Sequence, residues 1–424
     1  MANKNTLNVY WDAQLIGRLE KTTGQDMSFR YSDDYLASPD PQPISLSLPL
    51  QPEAFDGPLS RSWFANLLPE GEIRGQIARK LGVSERNTYA ILQGIGGECA
   101  GALRLLPESV PHTSEGKLNP LPWDDLEAKI ASTPRPSLLA LILQDGEMRL
   151  SLAGAQDKLP VHLGDGQLSL PSGNAASTHL LKISSGTYPD LVQNELFCLT
   201  LARAVGLNIP PAEMADTRTP ILLVKRYDRL TRPDGSIHRL HQEDFNQALG
   251  MPPETKYENE GGPSLAQLFE VLSLGSQSPL PDKRDLLTWV LFNFLIGNAD
   301  AHAKNVSFLY GPAEDQMRRH LAPFYDLVCT AVYDQISTKQ AQKIGGEYRP
   351  RYIARRHWDR LADSIEVNPR YLCSLGLELC DKVEEKAPRL SVEIGQAHGG
   401  SDTLEKVVRV IEGRVKRLRV EFGG

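Results

Sequence analysis

No apolar run in this 424-residue chain approaches the roughly 20 residues that a membrane-spanning helix needs. The opening Met-Ala-Asn-Lys-Asn-Thr-Leu lacks the apolar core of a secretory signal. Cysteine is scarce: Cys99, Cys198, Cys329, Cys373 and Cys380 are scattered, odd in number and form no C-x-x-C pair. That argues against a disulfide framework or a zinc site and makes a reducing cytoplasm the expected compartment. The nine histidines form no H-x-H or H-D cluster. A phosphohydrolase built on Asp300, His302 and Asp326 would therefore lack further metal ligands. An excess of positive charge is also missing. The net charge of −7 does not describe a polyanion binder.

The charge that is present is unevenly spread. Residues 339–360 carry seven basic and two acidic side chains, and 406–419 carry six and one. Each segment is thus +5, which leaves −17 on the remainder. Such patches can meet phosphate backbones, although a solvated helix face explains them equally simply.

The most informative stretch is Gly297-Asn298-Ala299-Asp300-Ala301-His302-Ala303-Lys304-Asn305, with Pro323-Phe324-Tyr325-Asp326 downstream. It sets an Asp five residues before an Asn, with a second Asp beyond. Phosphoryl transfer needs one carboxylate to orient the attacking hydroxyl, and an amide oxygen with another carboxylate to hold magnesium. The spacing is similar to the protein-kinase pattern. Helically spaced apolar residues between Asp285 and Leu295 predict a buried helix, stopped by Gly297, that delivers Asp300 into a loop.

Along the chain, Leu7–Trp11 and Leu15–Leu19 predict a hairpin around Asp12-Ala13-Gln14, where Gln14 is a poor turn residue. Helices are expected over 60–68 and 70–81, and a strand over 101–106. The Pro- and Ser-rich segment 107–122 marks a module boundary. Strands are then expected at 148–152, 159–163, 178–183 and 221–225, with a helix over 191–205. After Asp228 the signals turn mostly helical: 265–274, 285–296, 358–363, 369–385 and 404–420. The expected units are an α/β module over 1–108, a connecting segment over 109–146, a nucleotide-binding part over 147–228 and a helical lobe over 229–424. The fold class is α+β and two-lobed, with a cleft between the lobes.

Three further pieces join the Asp300 set. Ser151 to Lys158 contributes small residues that let backbone N–H groups approach phosphate. Lys182 is a strand lysine among apolar neighbours, which suits either a phosphate partner or a sheet edge. Val224 to Arg229 marks a junction whose backbone could hydrogen-bond an adenine. With Gln242-Glu243-Asp244, Lys256-Tyr257-Glu258, Gly261-Gly262-Pro263, Asn66 to Gly71 and Gly97 to Ala102, these motifs resemble the HipA family of serine/threonine kinase toxins. The likeness covers roughly residues 5–385.

The resemblance implies a protein-kinase-like (phosphatidylinositol-kinase-like) fold and a kinase that uses ATP and Mg²⁺. It implies Asp300 as catalytic base and Asn305 and Asp326 as metal ligands. It implies a phosphate loop of Ala153, Gly154, Ala155, Gln156, Asp157 and Lys158, with Lys182 on the phosphates. Further nucleotide contacts would come from Lys225, Arg226, Tyr227, His302, Ala303, Lys304, Asn305, Tyr325 and Asp326. Ser151 matches the family's autophosphorylation serine, where added charge would oppose ATP. The implied partners are a HipB-like helix-turn-helix antitoxin, operator DNA reached mainly through it, and a protein substrate such as an aminoacyl-tRNA synthetase. No membrane is implied. Lys225 departs from the family, where an acidic residue is expected, and Ala313 to His320 reads as a variable loop. A catalytically weak ATP-binding corepressor is the alternative.

Overall fold

The computed structural model describes residues 5–22, 26–112, 115–132, 138, 158–184, 187–313 and 316–423. Alternating burial along Thr6–Trp11 (β1), Gln14–Lys21 (β2) and Met27–Tyr31 (β3) builds an antiparallel meander. Leu103–Pro107 (β4) returns to β1 and completes the order β3-β2-β1-β4. The hairpin turns at Asp12, whose φ of 54° is left-handed and tolerable for Asp, while Gln14 already belongs to β2. The helices Gly57–Ala65, Gly71–Leu81 and Thr88–Ile95 share one apolar core with this sheet, in which Trp63, Phe64, Ile77 and Leu92 meet Val9, Phe29 and Leu105.

A second, six-stranded antiparallel sheet holds Lys117–Pro120 (β5), Lys158–Gly164 (β6), Gln167–Ser172 (β7), His179–Ile183 (β8), Ala212–Met214 (β9) and Ile221–Lys225 (β10). Its order is β5-β7-β6-β8-β10-β9. Segment 109–146 is therefore more than a connection. It supplies an outer strand, and its helix Trp123–Ala131 buries Leu126 and Ile130 against Leu159, Leu181 and Leu223. Every residue of β5 is exposed, so no apolar alternation marks it in the sequence. The expected strand at 148–152 lies outside the described residues.

Beyond Asp228 the chain is mostly helical, with Leu265–Gly275, Pro279–Ile296, Arg355–Ser364, Pro369–His398 and Ser401–Gly423 around the largest core. Strands persist there too: Arg229–Thr231 (β11) pairs with Ile237–Arg239 (β12), and His241–Asp244 (β13), Ser307–Ala313 (β14) and Gln316–Leu321 (β15) form a sheet. The expected variable loop at 313–320 is thus largely strand. The helix from Pro369 passes Pro388 and ends at His398 because Leu390 and Ile394 continue its buried stripe. No described helix is long and apolar enough to cross a membrane. All five cysteines are free and buried.

The N-terminal module is fastened to the rest through buried charge. Glu98 accepts from Arg229 (2.9 Å) and Arg239 (3.1 Å), and Arg226 lies at 3.5 Å. Asp228 in turn takes Arg226 at 2.6 Å and the Gly101 N–H at 2.7 Å. Burial pushes the Glu98 carboxyl up, but the three guanidiniums hold it well below the usual carboxylate range.

A second fastening is Glu243 of β13, which accepts from Ser45 Oγ (2.5 Å), Leu46 N (3.2 Å) and Tyr310 Oη (2.6 Å) with no cation in hydrogen-bond contact among the described residues. Burial therefore wins and lifts this carboxyl to about 7 from its ordinary 4.5, against the hydrogen bonds from Ser45 and Tyr310. The folded chain keeps the proton to higher pH than the unfolded chain, so stability falls as pH rises from about 4.5 to about 7. Glu243→Gln retains a carbonyl for Leu46 and Tyr310 and is expected to flatten that fall. Melting curves across this pH range check it. An unchanged slope would place the proton elsewhere.

Candidate active site

The helix Pro279–Ile296 ends at Gly297, whose φ of 72° is left-handed. A Cβ there would stand 2.8 Å from Val410 and 3.0 Å from Ala331, so glycine is required on both counts. The loop that follows is held by its own side chains. Asn298 Nδ2 donates to Asn293 Oδ1 (2.8 Å), and Asn298 Oδ1 accepts the Asp300 N–H (3.0 Å). Asn305 Nδ2 donates to the Asp300 carbonyl (2.9 Å). The Gln342 amide, oriented by its hydrogen bonds, donates to Ala301 O (2.7 Å) and accepts from Ala303 N (3.2 Å). The Asp300 carboxylate itself is 50% exposed and accepts a hydrogen bond from Tyr257 Oη.

His302 is buried, with Nε2 3.8 Å from Asp300 Oδ1. Burial draws its imidazole down to about 4, against the pull of Asp300, so the ring is neutral near pH 7. Its Nδ1 has no partner among the described residues.

Lys182 on β8 stands opposite Lys158 on β6, so two lysines face each other across adjacent strands. Like charges in that register repel unless an anion lies with them. Asp326 provides one, at 2.6 Å from Lys182 Nζ and 3.9 Å from Lys158 Nζ. Glu195, on the helix Leu191–Ala204, provides the other at 2.5 Å from Lys182. Lys182 and Glu195 are 2% and 1% exposed, whereas Asp326 keeps 26% of its side chain open to solvent. Burial alone would lower the Lys182 ammonium, but Asp326 and Glu195 outweigh it and raise it. Burial likewise pushes Asp326 up, but Lys182 and then Lys158 hold it well below the usual carboxylate range. Lys158 is lowered, chiefly by burial. Asp326 adopts a φ of 53°, a left-handed conformation that costs a non-glycine residue about 1–3 kcal/mol and recurs at functional sites.

The remaining expected site residues divide. Ser151, Ala153, Gly154, Ala155, Gln156 and Asp157 lie outside the described residues. Tyr227 and Tyr325 stack with ring centroids 5.8 Å apart, and Tyr325 Oη lies 2.7 Å from the Lys304 carbonyl. At the junction, Lys225 N–H already donates to Pro211 O (2.8 Å) and Arg226 N–H to Thr178 O (2.9 Å). Neither donor can serve an adenine in this arrangement. The Lys225 side chain is exposed, and the Arg226 guanidinium belongs to the Glu98–Asp228 network. Ala303 is packed in the core. The Lys304 ammonium faces the N-terminal module, at 2.6 Å from Asn66 Oδ1 and 3.5 Å from Glu70, and also meets Asp244 of β13 at 3.1 Å. The sequence marked Lys304 only by its place in the motif, and only the fold shows four oxygens around its amine, the fourth being the Asn66 carbonyl at 3.4 Å.

Glu195, Tyr257, Asn298 and Gln342 are the contributors that sequence reasoning did not assign. Glu195 had one available signal, as the single acidic residue of the helix Leu191–Ala204, one turn in from its start. The two basic segments come together, since the Arg417 guanidinium donates to Ile353 O (3.1 Å) and Glu421 accepts the Arg355 N–H (2.7 Å). Lys343, Arg349, Arg355, Arg409 and Arg419 are ion-paired. Lys339, Arg351, Arg356, Arg360, Lys406 and Lys416 are exposed and without an ion pair among the described residues.

No group of three or more His, Cys, Asp or Glu side chains suited to a metal occurs among the described residues. Magnesium brought in with a nucleotide needs only one or two protein oxygens beside the phosphates. The open carboxylate of Asp326 and the amide oxygen of Asn305 are suitable donors, and the unpartnered His302 Nδ1 leaves a polar atom for a ligand.

Comparison with known proteins agrees with this geometry. Residues 150–387 match the HipA-like C-terminal domain, and residues 7–106 match the HipA N-terminal domain. The chain is 38% identical over 420 residues to "Putative kinase Y4mE" of Sinorhizobium fredii, covering 98% of this chain and 99% of that one. It is 32% identical over 405 residues to the serine/threonine-protein kinase toxin HipA of Shewanella oneidensis, covering 92% and 89%. Its fold matches HipA in the solved Shewanella oneidensis complex of HipA, HipB and operator DNA, with a TM-score of 0.82, 27% identity and 98% and 97% coverage. With both of the family's domains present in order and relatives matched nearly end to end, the chain belongs to the HipA family.

Proposed function

We propose that this protein is an ATP- and Mg²⁺-dependent protein serine/threonine kinase, the toxin of a toxin–antitoxin pair. The observation that carries the reading is the buried Lys182–Glu195 pair joined to a part-exposed Asp326. A strand lysine paired with a helix glutamate, beside a metal-binding aspartate, is the arrangement that protein kinases use. Asp300, exposed on a rigid loop, orients the acceptor hydroxyl and takes its proton. Lys182 and Lys158 supply positive charge for phosphate oxygens, and Glu195 keeps Lys182 in place. Tyr227, Tyr325 and the neutral His302 line the nucleotide. Magnesium, held by Asn305 and Asp326, would offset the triphosphate charge. Little covalent work is left to the protein, so positioning and charge neutralisation carry the rate.

Ser151 is the proposed site of self-phosphorylation, and a translation factor such as an aminoacyl-tRNA synthetase the proposed substrate. The cytoplasm is the proposed compartment. Assembly with a helix-turn-helix antitoxin on operator DNA is supported by the six exposed cations of the two basic segments, which have no ion pair among the described residues and suit phosphate contacts.

Asp326→Asn tests the metal assignment. It is expected to remove the magnesium-dependent part of ADP affinity, measured by calorimetric titration with and without Mg²⁺. An unchanged magnesium dependence would take Asp326 out of that role.

A further inference from the structure

The motif Lys256-Tyr257-Glu258 has no part in the chemistry described so far, yet it reaches the reacting carboxylate. Tyr257 Oη donates to Asp300 Oδ1. No hydrogen bond to Asp300 Oδ2 is made among the described residues. The Tyr257 ring stands edge-on to His302, with centroids 5.4 Å apart at 78°. Burial, and then the Asp300 charge, raises the Tyr257 phenol, so it stays a neutral donor throughout the range in which a kinase works.

The segment that carries Tyr257 is fixed at both ends. Lys256 Nζ meets Glu70 Oε2 of the N-terminal module at 2.8 Å. On the other side, the Glu258 carboxylate accepts the Lys343 N–H (2.7 Å), and the Glu258 N–H donates to Ala341 O (3.0 Å). Glu70 also approaches Lys304 of the catalytic loop at 3.5 Å. Burial raises the Glu70 carboxyl, but Lys304 and Lys256 outweigh it and keep the group charged. The N-terminal module therefore grips both the loop bearing Asp300 and the tyrosine that bonds it.

We infer that Tyr257 is a positioning residue for the transfer step: its hydroxyl holds one oxygen of Asp300 and leaves the other for the acceptor hydroxyl, with Glu70 anchoring it from the N-terminal module. This rests on the kinase reading above. A half-exposed carboxylate has several open rotamers. Fixing one keeps the base in line with the acceptor, and a misplacement of about 1 Å costs on the order of a hundredfold in rate.

The test is steady-state phosphate transfer by the full chain and two variants, with melting temperature recorded beside kcat and KM for ATP. Tyr257→Phe keeps the ring against His302 and loses only the hydroxyl. It is expected to lower kcat by about ten- to a hundredfold with KM for ATP and melting temperature unchanged. Tyr257→Leu is expected to be as slow and also to melt lower. Recovery of the wild-type rate by Tyr257→Phe would show that only the ring matters and would overturn the inference. A faster Tyr257→Phe would overturn it too, because the hydroxyl would then be occupying the acceptor's place. Glu70→Gln is expected to lower kcat in the same direction, and an unchanged kcat there would remove the module's share. Absence of transfer by the wild-type chain would defeat the kinase reading itself, an outcome distinct from a fast Tyr257→Phe.

Discussion

Asp300→Asn is expected to slow phosphate transfer by about 10²–10⁴-fold, the range general-base groups contribute, while ADP affinity stays within about twofold. The loop is held by Asn298, Asn305 and Gln342 through backbone atoms of residues 300, 301 and 303, and none of those bonds uses the Asp300 carboxylate. An asparagine carbonyl can still accept from Tyr257 Oη, so the loop should survive the change. What is lost is an anionic oxygen able to take the acceptor's proton. Transfer rates and nucleotide titration on the same preparation check both halves. Equal loss of rate and affinity would instead make Asp300 a structural residue.

Lys182→Met is the second large effect, and it should appear in stability as well as activity. The methionine removes the ammonium 2.5 Å from the buried Glu195 and leaves Asp326 with Lys158 at 3.9 Å among the described residues. Breaking a buried pair by removing one partner costs about 3–5 kcal/mol. Urea unfolding should show a loss of that order, and ATP binding should fall with it. The double variant Lys182→Met/Glu195→Leu replaces the pair with apolar side chains, a change that is often neutral for stability. It is expected to regain stability but not activity. A double variant that also regained transfer would reduce the pair to a packing device.

The legible parts of this molecule were those where one local rule sufficed. Gly297 and Gly82 end their helices in left-handed geometry, as glycine after an apolar periodic run suggests. Ile221–Lys225 is buried along its first four residues and reads as a strand by composition alone. Asp300, Asn305 and Asp326 could be picked out because phosphoryl transfer needs those side chains in that order. Strand β5 was illegible because an exposed outer strand carries no alternation. The variable loop over 313–320 was misread because a hairpin with few apolar residues leaves little trace.

Long-range partners were the larger gap. Lys304 sits in the catalytic motif, and only folding shows its amine directed to Asn66, Glu70 and Asp244. Nothing local to the junction announces that Lys225 and Arg226 spend their N–H groups on Pro211 and Thr178. Glu195 and Tyr257 gain their roles from residues 13 and 43 positions away. Hydrophobic periodicity reports which face is buried, but it does not report which buried charge meets which.

The central claim, that Asp300 with the Lys182–Glu195–Asp326 cluster forms a phosphotransfer site, is tested most directly by intact mass. The purified chain, Asp300→Asn and Ser151→Ala would be weighed before and after incubation with ATP and Mg²⁺. A phosphate is expected on the wild-type chain and, over the same short incubation, little or none on Asp300→Asn, with Ser151→Ala reporting whether that serine receives it. A wild-type chain that starts unphosphorylated and gains nothing, or an Asp300→Asn chain that gains as much as wild type, would contradict it.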